Sequence, residues 1–224
     1  MKRLLFFSVA IVVALSACVQ NNGKPMPKVG DKKYYGVTNV TPEATQKMSL
    51  VIEVTDVTDS TVTVSQNYTL ADGEMISNSY TTLIDGGDAQ LSLKALFAKY
   101  LLKFGDSLEV VEGADVVHYI DNMDENSVFN PARLVLKSAA EGDEVLIELS
   151  VEERKVHGKE KVTTPAGTFD CIKFSENHVA KIGEEEFFTQ LVCWYDIKDG
   201  SQVKQTDLTK NGDLIYEVIL VKVE

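Results

Sequence analysis

The sequence predicts a mainly β fold of sequential antiparallel strands that carries one amphipathic helix. Three observations carry that reading. Apolar and polar residues alternate with period 2 over most of the chain, which gives each strand one dry and one wet face. Asp-Gly and Asn-Gly pairs fall between such runs, where tight hairpins need positive φ. Residues 93–104 keep a helical spacing instead.

In chain order, Val62, Val64 and Gln66 alternate with Thr61, Thr63 and Ser65, and Asp72-Gly73 separates the runs Thr61–Leu70 and Glu74–Leu83. Leu93, Leu96, Phe97, Tyr100, Leu101 and Phe104 share one helical face, with Lys94, Lys99 and Lys103 elsewhere, Asp88 near the start and Gly105 at the end. This predicts a helix of about four turns packed on the open face of a curled sheet. The polar run Asp121–Pro131 reads as a long surface loop. Val145, Ile147, Leu149 and Val151 line one face of a further strand. Asn211-Gly212 then separates Ser201–Thr209 from Asp213–Val223. That last strand is apolar on both faces, which predicts a central or covered position.

The N-terminus has a different character. Lys2 and Arg3 lead a short apolar run that ends in Leu15-Ser16-Ala17-Cys18, the pattern of an export signal with a thiol placed to carry lipid. The organisation expected is therefore a lipoprotein signal peptide over 1–17, a flexible tether over 18–28 with lipidation at Cys18, and a single β-rich domain over 29–224. Leu4 to Leu15 would span roughly 18 Å as a helix, against about 30 Å for a bilayer core, so the run is too short to remain as a membrane span.

The net charge of −12 becomes −14 once Lys2 and Arg3 are removed with the signal. An acidic body lacks the clustered cations that bind phosphate backbones or anionic lipid, so no nucleic-acid partner is expected. Membrane attachment falls to the acyl chains at Cys18, at about 0.8 kcal/mol per buried methylene.

No catalytic motif is present. His118, His157 and His178 are scattered, without H-E-x-x-H, C-x-x-C or G-x-S-x-G, so no metal, cofactor or catalytic residue is assigned. Asp121, Asn122, Asp124, Glu125 and Asn126 lack the alternating ligands and mid-loop glycine of a calcium loop. Glu184, Glu185 and Glu186 read as a charged loop or strand start. Phe187, Phe188, Trp194 and Tyr195 could stack on a glycan, although strand aromatics more often pack in cores. Cys171 and Cys193 are equidistant from Ile182. A hairpin centred there would set the two thiols opposite one another, as a disulfide or as two buried free thiols.

The segment Gly158-Lys159-Glu160-Lys161-Val162-Thr163-Thr164-Pro165-Ala166-Gly167-Thr168-Phe169-Asp170-Cys171, followed by Cys193-Trp194-Tyr195 and Val203-Lys204, resembles the DUF3108/TapB-like family of exported bacterial proteins, Bacteroidetes-type lipoproteins among them. The resemblance implies a curled antiparallel sheet or partial β-barrel and transfers no catalytic residue. In the residues themselves, Pro165 and Gly167 make a tight turn.

Two functional classes follow. One is a membrane-tethered, non-enzymatic envelope protein that binds an apolar or glycan ligand on the concave face of its sheet, or an envelope protein partner. The other is a hydrolase whose site is assembled from residues distant in sequence. Val19 and Gln20 lack the aspartate that resembles an inner-membrane retention signal, and Val19–Lys28 lacks the acidic run that resembles a surface-export signal. An outer-membrane position facing the periplasm is therefore expected, with exposure at the cell surface as the alternative.

Overall fold

A computed structural model describes residues 27–85, 88–101, 104, 108–119, 123–138 and 144–224. The expected signal over 1–17, Cys18 and most of the tether lie outside the described residues. The strands are β1 Lys32–Val40, β2 Thr45–Val57, β3 Thr61–Thr69, β4 Met75–Asp85, β5 Asp88–Leu91, β6 Leu108–Gly113, β7 Val117–Tyr119, β8 Ala132–Ser138, β9 Val145–Thr164, β10 Gly167–Ile182, β11 Glu185–Asp196, β12 Gln202–Leu208 and β13 Leu214–Val223. They form one antiparallel sheet in the order β6-β8-β9-β10-β11-β12-β13-β1-β2-β3-β4-β5-β7.

The chain itself shows that this sheet curls. β6 and β7 stand at opposite ends of the strand order, yet only Ala114, Asp115 and Val116 join Gly113 to Val117. Four backbone steps reach at most about 14 Å, so the two edges come close. No ladder joins β6 to β7, and the sheet is not closed into a barrel. At the end of β6, close approach to the paired strand β8 restricts Gly113: it has φ 86, and a Cβ there would lie 2.2 Å from the Arg133 carbonyl oxygen.

The curl encloses two apolar cores. One gathers Tyr35, Leu50, Val64, Tyr68, Tyr216, Val218 and Leu220 from β1, β2, β3 and β13. The other gathers Leu134, Leu136, Ile147, Leu149, Phe174, Ala180 and Cys193 from β8–β11 with Val117 and Tyr119 of β7. Both expected hairpins form, with Thr69 opposite Met75 and Leu208 opposite Leu214. Their turns place Gly73 and Gly212 at φ 87, which a side chain rarely tolerates. As its sequence predicts, β13 is central, between β12 and β1.

Two expectations need correction. The single four-turn helix is instead two short pieces, α1 Leu93–Leu96 and α2 Ala98–Leu101. Asp88 lies in β5 and the N-cap is Ser92, whose Oγ accepts from the Ala95 N–H at 3.1 Å. Phe97 departs from helical dihedrals at φ −103, ψ 15, and the next turn tightens to a Tyr100 N–H to Phe97 C=O bond. Leu93, Phe97 and Leu101 nevertheless all enter the second core. Packing against the sheet, rather than propensity, sets this local path.

The second correction concerns the cysteines. Gly183, at φ 60, supplies the positive dihedral of a two-residue turn, and Ile182 pairs with Glu185. The hairpin centre therefore lies between Gly183 and Glu184. Cys171 faces Asp196, and Cys193 faces Phe174. A three-residue offset separates the thiols by about 10 Å along the strands, and an odd offset places them on opposite faces. Both are buried free thiols. Burial pushes Cys171 up to about 12 and raises Cys193 well above its ordinary range. In the native protein at neutral pH neither should react with a thiol reagent, whereas both should react after unfolding. A disulfide-linked peptide joining them in a digest would contradict this register.

Candidate functional site

A bulge in β9 builds the centre of the site. Ser175 pairs with Lys155 and Asn177 with Glu152, so two residues, Glu153 and Arg154, oppose the single Glu176. Glu153 takes φ 50 and accepts a hydrogen bond from Asn177 Nδ2 at 2.7 Å. A bulge of this kind re-aims the side chain beside it. Here it turns Arg154 inward, toward the carboxylate across the ladder.

Glu176 is 0 % exposed and takes three donors. Arg154 Nε donates to Oε2 at 3.0 Å, and the Tyr119 hydroxyl donates to Oε1 at 2.7 Å. His178 Nε2 lies 2.8 Å from the same oxygen. A carboxylate can only accept, so that nitrogen carries the proton. Burial alone would raise Glu176, but the bond and charge of His178, with Arg154 and Tyr119, outweigh it and hold the carboxyl below its usual range. Burial keeps the Tyr119 phenol protonated. The guanidinium lies 4.5 Å from the Tyr119 ring centroid, 4.8 Å from Phe129 and 5.9 Å from Phe174. Such cation–π contacts strengthen when water is excluded.

The seam between β7 and β8 opens into a cleft of about 380 Å³ above this cluster. Ala114 and Val116 line one side, Ala132 and Pro131 the other, with Val128 and Phe129 from the intervening loop, and His118, Asn130, Arg133 and Arg154 supply its polar groups. The loop is held in place locally. Asp124 Oδ1 accepts from the Asn126 N–H at 2.8 Å, the Phe129 ring packs tilted against Phe174 with centroids 5.1 Å apart, and Arg154 Nη1 donates to the Asn130 carbonyl at 3.3 Å. Asp115 anchors the opposite wall, accepting from the Lys94 N–H at 2.8 Å and the Ser92 hydroxyl at 2.9 Å. Arg154 Nη2 is buried and makes no hydrogen bond. Glu176 is saturated by donors and sealed from solvent, so it is not free to move a substrate proton.

The three histidines fall in three different places. His118 lines the cleft, His178 supports Glu176, and His157 Nε2 meets Ser175 Oγ at 2.7 Å. For a hydrolase this last pair is incomplete: among the described residues no carboxylate hydrogen-bonds the other His157 nitrogen, as an orienting acid would. The aromatic run is also divided, since Phe187 stacks on Tyr100 at 4.8 Å and Tyr195 is buried. Trp194 lies with Lys173 and Lys204 at 5.2 and 5.4 Å and donates to Glu160. Glu185 and Glu186 begin β11. Among the described residues no three His, Cys, Asp or Glu side chains converge as metal ligands would, and no helix is long and apolar enough to cross a membrane. Arg154, Glu176 and Tyr119 went unmarked in the sequence. The available sign was Glu176 alone, a carboxylate in phase with Ile172, Phe174, Ala180 and Ile182; Arg154 is out of phase with Val145, Ile147, Leu149 and Val151, and only the bulge turns it inward.

Comparison with known proteins concerns the chain as a whole. The model of the DUF3108-like family matches residues 28–220. A candidate lipoprotein from Parabacteroides distasonis superposes with a TM-score of 0.61 at 19% identity, over 88% of this chain and 96% of that one. A candidate exported protein with a YmcC-like fold from Bacteroides fragilis superposes with a TM-score of 0.57 at 20% identity, also over 88% and 96%. No curated protein matches the sequence. At these identities the two structures share a fold with this chain.

Proposed function

We propose that this chain, which belongs to the DUF3108-like family, is a membrane-tethered, non-enzymatic envelope lipoprotein that holds a small ligand in the cleft between β7 and β8. The observation that carries the binding reading is the 380 Å³ cleft, with mostly apolar walls and one buried guanidinium made rigid by Glu176 and three aromatic rings. Few, well-placed polar groups in an apolar concavity are the usual composition of a small-molecule site. The enclosed face of the sheet is filled by the two cores, so the ligand sits at the seam rather than along the inner face. Among the described residues, the saturated Glu176 and the incomplete Ser175–His157 pair favour binding over hydrolysis.

Leu15–Cys18 and the lipoprotein or exported character named for the two similar structures support the tether. The mature protein should fractionate with the outer membrane, its N-terminal Cys18 should carry a diacylglycerol in mass spectrometry, and Cys18→Ala should move it to the soluble fraction. A soluble, unmodified wild-type protein would overturn the tether.

A further inference from the structure

We infer that the cleft is built for an uncharged ligand that presents a carbonyl oxygen, as an amide or ester beside a short apolar group, to the guanidinium of Arg154. This rests on the binding reading above and names the ligand class for the same cleft.

The donors point to an acceptor. Arg154 gives Nε–H to Glu176 and an Nη1–H to Asn130, while Nη2 is buried with no partner. An unmet buried donor is unfavourable, more so when it is charged, and a carbonyl oxygen would take a charge-assisted bond there. An oxygen that displaces the Asn130 carbonyl can accept from Nη1 and Nη2 together, because their N–H groups at the outer end of the guanidinium run parallel. The bond that must give way is the one from Nη1 to Asn130. At 3.3 Å it is the longer of the two that the guanidinium makes. It belongs to a loop whose Val128 is 80% exposed, so a ligand oxygen can replace Asn130 with little disturbance of the core.

The charges point to a neutral acceptor. The positive charge of Arg154 is matched by Glu176 at 3.0 Å. Arg133, at the rim, is matched by Glu112 at 2.7 Å and Glu148 at 3.0 Å. No other Lys or Arg lines the cleft, and the chain carries a net −12. A ligand carboxylate would give up part of its water with no uncommitted Lys or Arg to meet it, which is unfavourable. A neutral carbonyl gains the same bonds without that penalty. The volume, near the lower end of the roughly 300–1,000 Å³ of small-molecule sites, and the walls formed by Val116, Phe129 and Pro131 set a short apolar group beside it.

Hexanamide, hexanoate and hexylamine share one tail and differ in the head group, so titrating each into the purified full chain by ligand-observed NMR separates the possibilities. Hexanamide should bind at least tenfold more tightly than the other two. Arg154→Lys, which keeps a positive charge beside Glu176, should weaken hexanamide at least tenfold, and Ala114→Trp, at an exposed cleft residue, should abolish its binding without changing the melting temperature. Hexanoate binding as tightly as hexanamide, or an Arg154→Lys protein of normal melting temperature that binds hexanamide like wild type, would overturn the neutral-carbonyl inference and leave the binding reading intact. Failure of all three probes to bind, or equal binding by Ala114→Trp, would overturn the binding reading itself. Should Arg154→Lys fold poorly, the wild-type preference between hexanamide and hexanoate decides the inference alone.

Discussion

Glu176→Ala should destabilise the protein by about 3–5 kcal/mol, because it leaves the guanidinium of Arg154, whose side chain is 2% exposed, buried without its anion. The Tyr119 hydroxyl and the His178 N–H lose their acceptor in the same step. The loss should depend on pH, with a definite sign. Glu176 is held below the ordinary carboxyl range in the folded protein. Its contribution is therefore fully present above the unfolded value of about 4.3 and disappears as pH falls through the lower folded value. Asp207 works in the opposite direction, since burial raises it, but it is common to both proteins and cancels in their difference. Denaturant unfolding at pH 7 and at successively lower pH should show the gap between wild type and Glu176→Ala narrowing below about pH 4. A gap independent of pH would mean that Glu176 is not ionised in the fold.

Phe174→Ala should cost a similar amount, about 3–5 kcal/mol, for a different reason. Phe174 is 1% exposed and touches both the Phe129 ring of the loop and the Tyr119 ring of β7, at centroid distances of 5.1 and 6.4 Å. Truncation opens a cavity under the cleft and leaves every charge paired, so the loss should stay nearly constant from pH 7 to pH 4. The contrast with Glu176→Ala is itself the check. Equal pH dependence in the two variants would mean that the aromatic packing and the ion cluster fail as one unit.

The strands and hairpins were legible because period-2 alternation and the Asp72-Gly73 and Asn211-Gly212 turns are local signals. The final strand was legible too, its apolar character matching a place between β12 and β1. The failures were of register and cooperation. Placing the hairpin centre at Ile182, rather than between Gly183 and Glu184, moved every pairing along β10 and β11 and brought Cys171 falsely opposite Cys193. The helical spacing of residues 93–104 was real in its burial pattern, but tertiary packing bent the backbone at Phe97. The site was invisible for a related reason. Arg154 and Glu176 meet only because one extra residue, at Glu153, bulges β9, and Tyr119 reaches them only because the sheet curls until its far edge returns. Neither event leaves a spacing motif. His118 and His178 were noticed as residues, but their separate roles at the cleft and under Glu176 depend on that same curl.

Native mass spectrometry of the protein extracted from its own envelope tests the central claim most directly. The predicted result is a chain that begins at lipidated Cys18 and holds a small, neutral, non-covalent species, which Ala114→Trp loses while remaining folded. A wild-type chain that carries nothing, or a bound species that Ala114→Trp retains in equal amount, would contradict a ligand site between β7 and β8.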